Sequence, residues 1–363
     1  MLCQWFQILT IFAALLCFSM TCSRANNISA TFIFGDSISD VGNNNYIITL
    51  AKANFKPVGI DFGMPTGRFT NGRTVFDIIG QSLGFKNFIP PYLASTTVGP
   101  VILQGVNYAS GAGGILNETG ANFVGRISMD AQLHNFGMTK RDIISIIGKS
   151  AVDKLLASAL FVVTVGSNDF VSNYFLPNAS IHTKKLSPEK FIGTLISTFS
   201  LQLTRLYNMG ARKIIVSSVP PIGCCPNQKD LHPSSGQECV AFENRLAQQY
   251  NKRLKRLLLE LTATLEGSIF VYVDVYHIFE SIIQNYTLYG FQTKDIACCG
   301  KLGLHDGIVP CLPNAKVCLD RSKYVFWDPY HATETTNIII AKRVMDGDSN
   351  DISPINVRKL SQI

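Results

Sequence analysis

The sequence predicts an α/β protein built on a parallel sheet with helices over both faces. Three observations predict it: five short apolar runs read as strands, each is bounded by Gly, Pro, Ser or Asp, and helical patterns separate them. The runs are Ala30–Phe34, Leu103–Tyr108, Leu160–Val165, Lys213–Ser217 and Ser268–Val273. Between the third and fourth, Ser187 stands where it can cap a helix and Pro188 fits the first helical position. Apolar residues then recur every three or four positions until Gly210 can close the helix. A second helical pattern covers about Glu238 to Leu265, and a last one follows His331. There is no internal repeat, low-complexity tract or long linker.

Length and composition fit one large domain. With 363 residues, 47% hydrophobic and 16% charged, the chain can bury a sizeable core, and intrinsic disorder is excluded. A formal charge of +7 raises the question of nucleic acid, but no run of five or six Lys/Arg occurs. The densest basic cluster, "NKRLKRLLLE", alternates with leucines like a helix with one wet face. No nucleic-acid partner is expected.

The amino terminus reads as a secretory signal peptide over residues 1–25, leaving a single domain over 26–363. Its apolar stretch runs from Phe6 to about Met20, short of the roughly 20 apolar residues of a bilayer span, and small and polar residues follow. Cleavage is expected between about Cys22 and Asn26. The first seven residues carry no Lys or Arg, which keeps an uncleaved anchor as the rival reading.

Cysteine usage agrees with export. Beyond Cys3, Cys17 and Cys22 of the leader, the cysteines fall in two clusters: Cys224, Cys225 and Cys239, then Cys298, Cys299, Cys311 and Cys318. No C-x-x-C or paired Cys/His spacing supports zinc, and an oxidising compartment favours disulfides. Cys239 is expected to pair with Cys224, leaving Cys225 odd, and the second cluster to form two bridges whose connectivity stays open. Asn27, Asn117, Asn178 and Asn285 each head an Asn-x-Ser/Thr sequon available for glycosylation.

In a parallel sheet, ligands sit at the carboxyl ends of the strands, so the segments there carry the chemistry. Four polar segments fall at such ends: Gly35-Asp36-Ser37, "NYASGAGGI", "GSNDF" and "FWDPYHATE". "SGAGGI" is no dinucleotide fingerprint, because Leu116 stands where the last glycine would be needed. Together the four supply the parts for acyl transfer. A serine hydroxyl is a poor nucleophile until a base takes its proton. Of the six histidines, only His331 has a carboxylate three residues before it in a turn of aromatics and proline. Asp328 can orient that imidazole while its Nε2 faces Ser37. Taken alone, Asp328 reads equally as a helix cap. The N–H groups of Ser37 and of a glycine after the second strand, Gly111, with the Asn168 amide, are the expected oxyanion donors. Asp40 is read as holding the turn through backbone amides, and Asn43 to Asn45 as residues that adopt left-handed conformations cheaply.

These residues resemble the plant-type GDSL esterase/lipases of the SGNH hydrolase superfamily, nearly end to end from Phe32 to about Leu360. The resemblance is carried in order by "FIFGDSISDVGNNN", "GRFTNGRTVFDIIG", "GVNYASGAGGI", "VVTVGSNDF", "KIIVSSVPPIGC", "ACCG" and "YVFWDPYHATETTN", with "PINVRKLSQI" resembling the usual tail. It implies a three-layer, flavodoxin-like α/β/α sandwich with strand order 2-1-3-4-5. Residue by residue it makes Ser37 the nucleophile, Gly111 and Asn168 oxyanion donors, and Asp328 and His331 the rest of the triad. Ile38 and Ala332 stand where the family usually has Leu and Pro. The order Ser-Gly-Ala-Gly-Gly keeps Gly113 open as the donor. Cys225 stands where a leucine is usual, so either Cys224 or Cys225 could bridge to Cys239.

The expectation is a secreted, apoplastic serine ester hydrolase, a monomer acting on lipid esters or on acylated cell-wall or secondary metabolites. It calls for no metal or organic cofactor and no stable membrane span. An acyltransferase using the same triad and a catalytically inactive binding protein are the alternatives.

Overall fold

The computed structural model describes residues 27–176, 186–233 and 238–363. The expected leader over 1–25 and the sequon at Asn178 lie outside the described residues. Five parallel strands form the centre: β1 (Thr31–Gly35), β2 (Gly105–Asn107), β3 (Leu160–Thr164), β4 (Lys213–Ser217) and β5 (Ile269–Val273). Their order is β2-β1-β3-β4-β5, as expected, and a sixth strand extends the edge at β5.

The strands alternate between two cores. Phe32 and Phe34 of β1, with Phe161 and Val163 of β3, face one side, while Ile33, Leu160 and Val162 face the other. Helices α2 (Met129–Ile147), α3 (Lys149–Ser158), α4 (Pro188–Asn208) and α5 (Ala241–Thr264) cover the first face. Helices α1 (Val75–Ser82), α6 (Val275–Gln284) and α7 (Glu334–Asp346) cover the second. Burial on both faces is why these strands read as continuous apolar runs rather than alternating ones. Ser187 caps α4 as its position predicts, its hydroxyl accepting from Lys190 N–H.

Three elements differ from expectation. Strand β2 is only three residues long, because Gly99–Gln104 winds into a 3-10 helix before it. Gly105 makes that entry possible: at φ +117 it lies so close to the Thr31 backbone that a Cβ would collide with it. The sixth strand, β8 (Ile352–Ser353), runs antiparallel to β5. Finally, the segment that delivers "FWDPYHATE" belongs to a separate two-stranded parallel sheet, β6 (Thr293–Ala297) with β7 (Tyr324–Phe326), rather than to the main sheet.

Three disulfides tie the second half. Cys224 pairs with Cys239, leaving Cys225 as a buried free thiol, and the open connectivity resolves as Cys298–Cys318 and Cys299–Cys311. The latter two clamp the 298–318 segment against the end of β7, where Cys298 N–H donates to Phe326 O and Cys299 N–H to Trp327 O. Trp327 is wholly buried among these cysteines, Ala53 and Val58. Among the described residues no helix is long and apolar enough to cross a membrane.

Candidate active site

The serine stands where the sheet ends. Gly35 closes β1 against β3 so tightly that a Cβ there would run into the Thr164 carbonyl. The Gln132 side chain of α2 grips Gly35 at both backbone groups, accepting from its N–H at 2.8 Å and donating to its carbonyl at 2.8 Å. Asp36 N–H then donates to Thr164 O, and Asp36 Oδ1 accepts from Ile38 N–H at 3.0 Å. This tight turn presents Ser37, half-buried, toward the cleft.

Asp40 holds the loop that follows, in keeping with a scaffolding role. Its carboxylate accepts from the N–H groups of Gly42, Asn43 and Asn44, at 2.7, 2.7 and 3.4 Å, and from Gly111 N–H at 3.0 Å. The asparagines are not left-handed: Asn43–Tyr46 is a 3-10 helix, and Gly42, at φ +134, takes the unusual conformation. Their side chains instead staple the loop to its neighbours. Asn43 Nδ2 donates to the carbonyls of Asn107 and Ala109, and Asn44 Nδ2 to those of Ala51 and Gly111. Burial pushes Asp36 up to about 7 and Asp40 to about 6, despite the amides that favour their charged forms.

His331 and Asp328 arrive from β7. His331 Nε2 is 2.8 Å from Ser37 Oγ, and its Nδ1 is 2.8 and 2.9 Å from the two Asp328 oxygens. Asp328 Oδ1 also accepts from the N–H groups of Tyr330 and His331. It does not cap the following helix, because Thr333 does so by accepting from Thr336 N–H. Burial draws the His331 pKa down, but the charge and hydrogen bonding of Asp328, aided by Asp36, outweigh it and hold the imidazole above its usual 6.5.

The stretch "GRFTNGRT", to which sequence reasoning gave no role, braces this histidine loop. Thr70 Oγ1 donates to Ala332 O at 2.9 Å, Asn71 Oδ1 accepts from Glu334 N–H at 2.9 Å, and Arg73 pairs with Glu334. The Phe69 ring lies 5.2 Å from the imidazole. The available signal was a Thr-Asn-Gly turn set between two arginines.

The expected donors are engaged within the protein. Gly111 N–H donates to Asp40 Oδ2 at 3.0 Å, and Gly113 N–H donates to Ser110 O at 2.9 Å. Asn168, in the short helix Ser167–Asp169 after β3, lines the cleft with Ser37 and donates from Nδ2 to Gly113 O at 3.0 Å. Its amide group carries two N–H donors, so one remains for a ligand. The cleft holds about 780 Å³ and is walled largely by apolar groups, among them Val58, Phe69, Val171, Phe175 and Ile222.

Fold and site define a class first: an α/β sandwich with a hydroxyl, an imidazole and a carboxylate in hydrogen-bonded series at the edge of its parallel sheet. The chain belongs to the GDSL-like lipase/acylhydrolase family, whose sequence model matches residues 31–344. It is 56% identical over 354 residues to GDSL esterase/lipase At4g16230 of Arabidopsis thaliana, covering 97% of this chain and 96% of the relative. It is 48% identical to GDSL esterase/lipase At2g23540 of the same plant (93% and 89% covered) and 42% identical to its GDSL esterase/lipase 7 (92% of each). Membership places the chain among the carboxylic ester hydrolases.

Proposed function

We propose that the protein is a secreted serine esterase that cleaves esters with apolar acyl groups through Ser37, His331 and Asp328. The 2.8 Å approach of His331 Nε2 to Ser37 Oγ is the observation that carries this reading. As Ser37 Oγ forms its bond to the ester carbonyl carbon, His331 Nε2 takes the hydroxyl proton. Asp328 holds Nδ1–H and stabilises the imidazolium. The tetrahedral intermediate breaks its bond to the alcohol oxygen, which leaves with the proton from Nε2. Water then attacks the acyl-enzyme, giving a proton to Nε2, and the acid departs as that proton returns to Ser37.

The apolar cleft walls favour a hydrocarbon acyl chain over an acetyl group on a polysaccharide. Three disulfides and exposed sequons at Asn27, Asn117 and Asn285 support passage through an oxidising, glycosylating compartment.

Hydrolysis of p-nitrophenyl acetate, butyrate and octanoate by the secreted protein, side by side with Ser37→Ala, tests this. The substitution should cost on the order of a million-fold in kcat at unchanged melting temperature, and octanoate should exceed acetate in kcat/KM. Equal rates in both proteins would remove Ser37 as the nucleophile. Ester products that dominate once butanol is added would assign acyl transfer instead.

A further inference from the structure

We infer that the second backbone oxyanion donor is Ala112, the residue between the two glycines, and that Asp40 is built to leave it in that role. The inference rests on Ser37 being the nucleophile. Buried backbone N–H groups are almost always paired, so the partners along the turn after β2 can be followed one by one. Ser110 N–H donates to Gly35 O, Gly111 N–H to Asp40 Oδ2, and Gly113 N–H to Ser110 O. The carbonyls of Gly111 and Gly113 accept from the side chains of Asn44 and Asn168. Ile115 and Leu116 N–H both donate to the Asp169 carboxylate. Among the described residues, two N–H groups in this series have no partner, those of Ala112 and Gly114, and of the two only Ala112, 5% exposed, lines the cleft.

The exception sits where a ligand would explain it. Ala112 lines the cleft together with Ser37 and Asn168, and Ser37 N–H is likewise without a partner among the described residues. Ala112 also adopts φ +64, a left-handed conformation that an alanine takes only when its surroundings impose it. The imposing groups are visible. Asp40 fixes the residue before Ala112, Asp169 fixes the chain three residues after it, and Gly120 presses against the Ala112 carbonyl where no side chain would fit. Two buried carboxylates thus bind N–H groups on either side and leave the Ala112 N–H unpaired in the wall of the cleft that Ser37 also lines. Strain and an unpaired donor at one residue mark a group whose partner, the carbonyl oxygen as it gains charge, exists only during reaction.

The test is the structure of the full secreted protein after reaction with diethyl p-nitrophenyl phosphate. In that reaction Ser37 Oγ bonds to phosphorus, p-nitrophenolate leaves, and the serine proton passes to His331. The phosphoryl oxygen of the adduct should lie about 3 Å from the N atoms of both Ala112 and Ser37. A phosphoryl oxygen on Gly111 N–H with Asp40 displaced, or one turned to solvent, overturns the inference while leaving the nucleophile intact. No adduct at Ser37 overturns the esterase reading, and this inference falls with it. As a rate measurement, replacing Ala112 by lactate, which turns its amide into an ester and removes only the N–H, should lower kcat about a hundredfold with little change in KM. A kcat within twofold of the parent in a folded protein refutes the assignment.

Discussion

The two halves of the site are held in unlike ways. Ser37 follows a strand whose five residues are all buried and which pairs with a strand on each side. Its loop is tied by amides, by the buried carboxylates of Asp36 and Asp40, and by the Lys52 ammonium, which donates to the carbonyls of Asn44, Asn45 and Ile47. Asp328 and His331 follow a three-residue strand of a two-stranded sheet, held by two disulfides and by the Arg73–Glu334 and Arg321–Asp61 ion pairs. The serine therefore follows a strand inside the main sheet, whereas the histidine follows one that joins the second core through Val325 and Phe326 and is braced besides by covalent and charged ties. A candidate site assembled across such a seam can lose its geometry on one side while the other stays native.

The contrast can be broken from the serine side first. Asp40→Ala leaves the N–H groups of Gly42, Asn43 and Gly111 without their acceptor and should cost about 3 to 5 kcal/mol in denaturant unfolding. It should lower kcat even where the protein stays folded, because Gly111 and the donor turn lose their anchor. An unchanged unfolding midpoint would show that Asp40 is not the keystone of that loop. From the histidine side, Cys299→Ser with Cys311→Ser opens a small loop and should cost about 3 kcal/mol. Native-state hydrogen exchange should then quicken at β6 and β7 while β1, β3 and β4 keep their protection. Uniform loss across both sheets would mean that the two halves form one cooperative unit. Thr70→Val removes only the bond to the Ala332 carbonyl; about 1 kcal/mol of stability and less than about tenfold in kcat should go.

Acidity offers a gentler probe. Asp36, Asp40 and Asp169, at about 7, 6 and 6 against an ordinary 3.8, bind protons more tightly folded than unfolded. The stability they add is complete below about pH 4 and is lost as pH rises through 6 to 7. The raised His331 acts in the same direction. The surface carboxylates Asp61 and Asp346, held below their usual range, are ionised in both states above pH 5 and do not offset this. Melting temperature should therefore fall between pH 5 and pH 8, and a rise would contradict the burial of these groups. The kcat/KM profile should reach half its plateau above pH 6.5, since only the neutral imidazole accepts the serine proton.

What could be read from the chain follows the range of the interactions involved. The five central strands announce themselves because burial on both faces demands an unbroken apolar run. Strand β6, "TKDIA", has one fully buried residue, and β8 has two residues in all, so neither stands out from a loop. That Ser37, Asp328 and His331 come together was legible because each lies in a short turn of unusual composition. The engagement of Gly111 N–H was not legible because its partner is a carboxylate 71 positions away. Asn43 misled for the same reason: its side chain serves carbonyls more than 60 residues distant. The brace from Thr70 to Ala332 spans 262 positions and is invisible to any local pattern.

Gln132 shows what such distant amides permit. Its Oε1 takes the Gly35 N–H, which the chain after β2 leaves without a backbone acceptor, while its Nε2 shares the Gly35 carbonyl with Ser110 N–H. A single side chain thus supplies the one acceptor that the chain after Asn107 does not. The gap so created is where the chain turns across from Ser110 to Gly114. Lengthening β2 by design would offer the same N–H a backbone acceptor and straighten the turn from Ser110 to Gly114, which reaches the cleft through Ala112.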